Sequence, residues 1–238
     1  LLINNTGEAN SSIPVDDSGI YIGDDSINTT VLNCTGISNE AHGIRLMNTI
    51  NSTFINSVAT SNSRIGLRIT SSIGSTFTNQ TVLSSENIGV YISNSSNLLF
   101  RDSYISGDCN DIYLQVDSLV LNATFINCSY DKDTEFIGDA SSELIRKWYY
   151  QAYTNYSNGT AVAGANISAY NATGQLQFTT QTNSSGYIPR QEVTEYVNRG
   201  GTRSYYNNYT IDASKSGYED DSNVFNFTTT QNKLDDVF

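Results

Sequence analysis

Chemistry at neutral pH is concentrated in few side chains of this sequence. His42 is the single histidine, and the cysteines are Cys34, Cys109 and Cys128. A Ser, Thr or Cys nucleophile needs a base beside it, which confines that chemistry to the surroundings of His42. His42 immediately precedes Gly43 and reads as a surface turn residue rather than a base. A lyase or glycosidase would group carboxylates with Arg or Lys on one face. The candidates Asp24, Asp25, Asp102 and Asp108, with Arg45 and Arg68, do not converge. Asp131, Asp133, Glu135 and Asp139 could supply oxygen ligands to Ca²⁺. They lack the glycine position and terminal bidentate Glu of an EF-hand loop, so a solvated linker is preferred and Ca²⁺ kept as the alternative. No phosphate-cradling glycine loop or metal-ligand triad is present.

The cysteines lack metal-site spacing. Cys109 with Cys128 would close a loop of about 20 residues and contribute on the order of 3 kcal/mol; buried free thiols are the equal alternative. Charged residues make up 15% of the 238, with a formal net charge of −12, which disfavours nucleic acid as a partner. No apolar run is long enough to span a bilayer, and no basic start followed by an apolar core is present, so the segment reads as a mature or trimmed chain.

The 28 asparagines generate 16 Asn-x-Ser/Thr sequons, where roughly seven follow from composition. That excess points to a secreted glycoprotein; an Asn- and Thr-rich β protein making sequons by composition is the alternative.

The elements that would position these groups announce themselves by repetition. Gly19-Ile-Tyr-Ile, Gly43-Ile-Arg-Leu, Gly66-Leu-Arg-Ile, Gly89-Val-Tyr-Ile and Asp111-Ile-Tyr-Leu open successive units at spacings of 24, 23, 23 and 22 residues. Short β-branched runs at such a period predict stacked coils that bury one another's apolar faces. Alternation places Ile20/Ile22, Ile44/Leu46, Leu67/Ile69, Val90/Ile92 and Ile112/Leu114 inside. Tyr21, Arg45, Arg68, Tyr91 and Tyr113 then point outward. A second inward row is expected through Val31, Phe54, Phe77, Phe100 and Leu121, and an inward polar ladder through Asn33, Asn56, Asn79 and Asp102. Asn33 and Asn79 would then escape glycosylation. The reachable sequons are expected at Asn28, Asn51, Asn94, Asn122, Asn155, Asn158, Asn171, Asn183 and Asn208.

These openings and Asn-rich turns resemble the right-handed parallel β-helix repeats of the periplasmic copper-binding β-helix family and of archaeal surface proteins, over residues 19–130. Copper binding is not carried over, because one His and one Met cannot build a soft-ligand site. Residues 1–18 are expected as an N-terminal strand or partial coil, and 131–142 as a linker. From 143 to 238 some seven short strands argue for an antiparallel β-sandwich with a C-terminal tail. The order NGTAVAGANISAY, TGQ, TTQTNSSGY and YTIDASKSGY resembles the carboxypeptidase regulatory-like, transthyretin-like sandwich, whose members are usually non-catalytic spacers or interaction modules. Trp148 reads as a core anchor there.

The sequence thus predicts an all-β chain, a β-helix of about five coils followed by an Ig-like or transthyretin-like sandwich, and a non-enzymatic extracellular subunit of an S-layer, sheath or filament. Partners would be copies of itself and other envelope glycoproteins or glycans; no cofactor is expected beyond N-linked glycans and the Ca²⁺ alternative. Subunit contacts are expected at Leu1, Leu2 and Ile3, at the tail Gln231 to Phe238 including Val237 and Phe238, and along the Tyr21, Arg45, Arg68, Tyr91 and Tyr113 stripe. A self-satisfied Tyr/Arg ladder is the alternative for the stripe. The competing function is a carbohydrate-binding or carbohydrate-cleaving surface protein.

Overall fold

The computed structural model describes residues 1–9, 18–23, 25–226 and 232–238. The chain forms two compact units, Leu1–Ile145 with Asn198–Thr202, and Arg146–Val197 with Arg203–Phe238.

The first unit is a parallel β-solenoid with three faces. The first face stacks Leu2–Ile3, Thr30–Leu32, Thr53–Ile55, Thr76–Thr78, Leu99–Arg101 and Ala123–Ile126. The second stacks Thr6–Ala9, Thr35–Ser38, Val58–Ser61, Thr81–Ser84 and Tyr104–Gly107; the third stacks Ser18–Ile22, His42–Met47, Leu67–Thr70, Ile88–Ser93, Asn110–Leu114 and Glu135–Ile137. Each coil is too thin to bury its own apolar side chains, so the core is made by stacking. Val31, Phe54, Phe77, Phe100 and Phe125 are fully buried. The last four form one column with ring centroids 5.1, 4.5 and 4.6 Å apart.

Phe125 occupies the place expected for Leu121. The step from Phe100 to its partner Phe125 is 25 residues, longer than the 23 between Phe77 and Phe100. Leu121 instead lies exposed at a corner, bridged to Ser96. Residues 131–142, expected as a linker, continue the solenoid: Glu135–Ile137 pairs in parallel with Asn110–Leu114. Six strands on the third face therefore replace the five coils expected.

The corners explain the abundance of asparagine. Asn4, Asn33, Asn56, Asn79, Asp102 and Asn127 all have φ between 51° and 53°. This left-handed conformation costs Asn and Asp less than other non-glycine residues. The ladder expected here exists, with Asn56 Nδ2 donating to Asn33 Oδ1 at 3.2 Å and Asn79 Nδ2 to Asn56 Oδ1 at 2.9 Å. It runs along the outside, however, since Asn33, Asn56, Asn79 and Asp102 are exposed. The left-handed residue breaks the alternation and turns the next side chain inward. Cys34, Ser57, Gln80, Ser103 and Cys128 are the buried members. The serine hydroxyls serve the corner backbone, Ser57 Oγ accepting from Cys34 N at 3.2 Å and Ser103 Oγ from Gln80 N at 3.0 Å, so these two buried N–H groups are satisfied.

The second unit is also all-β. Leu176–Gln181, Asn166–Tyr170, Tyr209–Ser214 and Asp221–Phe225 form a four-stranded antiparallel sheet in that order. Trp148, Tyr150 and Ala152 from Glu143–Tyr153, with Val193 from Gln191–Arg199, share one core with Ile167, Ala169, Tyr209 and Ile211 of that sheet. Pairing is not antiparallel throughout, because Lys233–Val237 joins Glu143–Tyr153 in parallel. The tail expected to reach a neighbouring subunit is thus a strand of its own unit, with Phe238 packed against the core. Gln231 lies outside the described residues.

Candidate functional site

The outer side chains of the third face form one unbroken ladder. Parallel register places Tyr21, Arg45, Arg68, Tyr91, Tyr113 and Phe136 on successive strands. Arg45 lies 5.6 Å from the ring centroid of Tyr21, and Arg68 lies 5.4 Å from that of Tyr91. Tyr91 and Tyr113 stack at 5.6 Å, and Tyr113 and Phe136 at 4.6 Å. Tyr91 thus has a guanidinium on one side and a ring on the other, and Tyr113 a ring on each, contacts favourable at these separations. The sequence pattern missed Phe136 because Glu135 replaces the aliphatic residue that precedes the aromatic in the other units.

His42, expected at the surface, is buried in the strand His42–Met47. Its Nε2 lies 3.1 Å from Arg68 Nη1. A guanidinium can only donate, so Nε2 accepts and the proton resides on Nδ1. Burial first, then the charges of Arg68, Arg45 and Arg64, lower its pKa to about 3. The imidazole is neutral and committed as an acceptor near neutral pH, which does not suit it to take a proton from a nucleophile.

The other predicted groups disperse. Asp24 lies outside the described residues, Asp25 and Asp108 are exposed, and Asp102 accepts from Asn127 Nδ2 at 2.7 Å. Asp131 Oδ1 caps a short 3₁₀ turn by accepting from Asp133 N, Asp139 Oδ1 accepts from Ser141 N, and Glu135 accepts from Tyr130 and Asn198. Among the described residues no group of three or more His, Cys, Asp or Glu is placed to hold a metal ion. The Cys109–Cys128 disulfide is not formed: Cys128 is buried and Cys109 exposed. Leu2 and Ile3 pair with Val31 and Leu32 of their own chain, while Leu1 is 86% exposed.

Of the sequons expected to be reachable, Asn28, Asn51, Asn94, Asn122, Asn158, Asn183 and Asn208 are exposed and Asn155 is half-buried. Asn171 is buried, and its Oδ1 organises a turn by accepting from Thr173 N, Thr173 Oγ1 and Gln175 N. Asn33 and Asn79, expected inside, are exposed.

Two features of the second unit had no signal in the sequence. Trp148 Nε1 donates to the buried Glu195 Oε2 at 2.7 Å, and Arg146 Nε lies 3.3 Å from the same oxygen. A cleft of about 480 Å³ is lined by residues that include Asn155, Tyr156, Lys215, Tyr218 and Glu219. Tyr156 and Tyr218 meet through their hydroxyls at 3.1 Å, and Lys215 Nζ donates to Ala163 O at 2.6 Å.

No helix is long and apolar enough to cross a membrane among the described residues. No curated protein matches the sequence. Among solved structures, the Bacillus anthracis TIE protein aligns at 14% identity with a TM-score of 0.32, over 44% of this chain and 18% of that one. A family profile described as "Right handed beta helix region" matches residues 1–145, more than half of the sequence. The chain belongs to the right-handed β-helix family.

Proposed function

We propose that this chain is an extracellular structural subunit of a cell-surface assembly, an S-layer, sheath or filament, and that it associates with copies of itself and with envelope glycans or glycoproteins. The observation that carries this reading is the third-face ladder. Its rings stack on one another or carry a guanidinium along the solenoid axis, and the face offers ring edges and hydroxyls for lateral contact. Tyr and Arg are enriched at interface hot spots. The first strands supply a second support. Leu2–Ile3, Thr6–Ala9 and Ser18–Ile22 each lie at the end of a sheet, and such edges accept an added strand. On this reading the protein is not an enzyme.

Negative-stain microscopy of the purified full chain tests the proposal. Ordered polymers are expected, and Arg45→Ala with Tyr113→Ala should abolish them while far-UV circular dichroism stays unchanged. Polymers that survive both changes remove the ladder from the contact. A chain that stays monomeric at high concentration removes the subunit reading itself.

One observation favours a second reading, a carbohydrate-binding protein. The second-unit cleft brings Tyr156 and Tyr218 beside amide, hydroxyl, ammonium and carboxylate groups, a set suited to a polyol. Calorimetric titration with oligosaccharides would detect it, and Tyr218→Ala should abolish the heat.

A further inference from the structure

The corner sequons are not equivalent, and the difference lies in the amide nitrogen. Asn33 Nδ2 donates to Asn4 Oδ1 at 3.1 Å, Asn79 Nδ2 to Asn56 Oδ1 at 2.9 Å, Asn122 Nδ2 to Asn97 Oδ1 at 2.9 Å, and Asn127 Nδ2 to Asp102 Oδ1 at 2.7 Å. Each of these nitrogens is tied to the preceding coil. Asn51 belongs to the left-handed corner row Asn28, Asn51, Gly74, Asn97 and Asn122, where glycine interrupts the amides. A Cβ on residue 74 would lie 2.3 Å from Asn51 Oδ1. The Asn51 side chain therefore stands in the space an asparagine at 74 would fill.

Beside this row runs a second one, Ile27, Ile50, Ile73, Ser96 and Leu121, bridged coil to coil. Ile27 is 60% exposed, Ile50 40% and Ile73 47%. Where the row turns polar at Ser96, the following Asn97 is not a sequon. Exposed aliphatic side chains on successive coils cost free energy unless something apolar covers them. A pyranose ring can do so, presenting C–H groups to the protein and hydroxyls to water.

We propose that Asn51 is a glycan attachment site built into the solenoid, and that the first sugar ring rests on a shelf made by Ile50, Gly74 and Ile73. In the attachment, Nδ2 bonds to the anomeric carbon of a diphosphate-activated oligosaccharide donor. The carbon–oxygen bond to the diphosphate breaks, and the amide loses one proton. Asn28 is exposed too, but it lies one coil away, about 4.8 Å along the axis, with Asn51 rather than glycine on the next coil. The inference rests on the cell-surface reading, because attachment requires export.

The test uses the full chain secreted from a host that attaches N-linked glycans. Trypsin cleavage after Arg45 and Arg64 yields the peptide Leu46–Arg64, in which Asn51 is the only sequon. Mass spectrometry should find this peptide glycosylated in most copies. Enzymatic glycan release should lower the melting temperature by a few degrees, and Ile50→Ser with Ile73→Ser should at least halve that drop while leaving attachment intact. An unmodified Leu46–Arg64 peptide overturns the site, and a drop unchanged in the double variant overturns the shelf. Failure of the assembly reading would instead appear as absent polymers with this peptide still glycosylated.

Discussion

A residue that recurs at one place in every coil answers a local demand of the backbone. Gly43, Gly66 and Gly89 open their units because the second and third faces approach closely there. A Cβ at Gly66 would lie 2.8 Å from Leu83 O and from Val82 Cγ1, and 3.0 Å from Gly89 O. Two of these neighbours are backbone atoms that cannot step aside. Gly66→Ala should therefore destabilise the solenoid by about 1–3 kcal/mol through overpacking. The check is the urea midpoint followed by circular dichroism; an unchanged midpoint would mean that the corner is looser than its geometry. The corner asparagines carry a parallel lesson. Left-handed backbone selects Asn, an inward position follows, and an outward Thr or Ser often starts the next strand, as in Asn33-Cys34-Thr35 and Asn79-Gln80-Thr81. Much of the sequon excess is thus written by the fold, which weakens sequon number as a sign of export and makes the state of each amide the better guide.

At the scale of elements, the phenylalanine column is what makes thin coils cooperate. Phe77 is fully buried with a ring above and below it at 5.1 and 4.5 Å. Phe77→Ala removes both stacking contacts and leaves a cavity that rigid neighbouring strands cannot close. A loss of about 3–5 kcal/mol is expected, read from the same denaturation curve, and Phe77→Leu should recover part of it. This column and the Gly-led third face were legible in the sequence because both repeat at a spacing close to 23 residues over most of their length. The pattern gave way where spacing or alternation broke. The longer step between Phe100 and Phe125 moved the aromatic off the expected Leu121. Glu135 disguised the last strand of the third face as part of an acidic linker. The inward Asn ladder failed for a conformational reason, since alternation holds only for extended backbone and Asn33, Asn56 and Asn79 are left-handed. In the second unit Trp148 was readable as a core residue, whereas Glu195, which takes its indole N–H, comes from a strand 47 residues away and left no mark in the local pattern.

For the whole molecule, the two units carry buried titratable groups of opposite tendency. His42 in the first unit is lowered from 6.5 to about 3 by burial and by its arginines. The unfolded chain then takes up a proton where the folded unit does not, so this contribution is complete above about pH 6.5 and is lost as pH falls toward 3. Between pH 7 and about pH 4.5 the loss is roughly 2.5 kcal/mol. Asp236 in the second unit is buried, accepting from Tyr150 and Asn223, and burial raises its pKa above 3.8. A raised carboxyl binds its proton more tightly when folded, so its contribution is present below about 3.8 and disappears as pH rises through the folded value. Acidification should consequently weaken the first unit and not the second. Trp148 is the single tryptophan and belongs to the second unit, so its fluorescence follows that unit alone. Circular dichroism reads the strands of both units, so a shift that it shows and Trp148 does not belongs to the first. At about pH 4.5 the urea midpoint by circular dichroism should fall relative to pH 7, while the Trp148 midpoint holds or rises. Relief of the net charge of −12 acts on both probes in the same direction and cannot imitate their divergence. His42→Gln should flatten the first dependence and leave the second untouched, whereas midpoints that move together in the parent chain would show that neither buried group governs its unit.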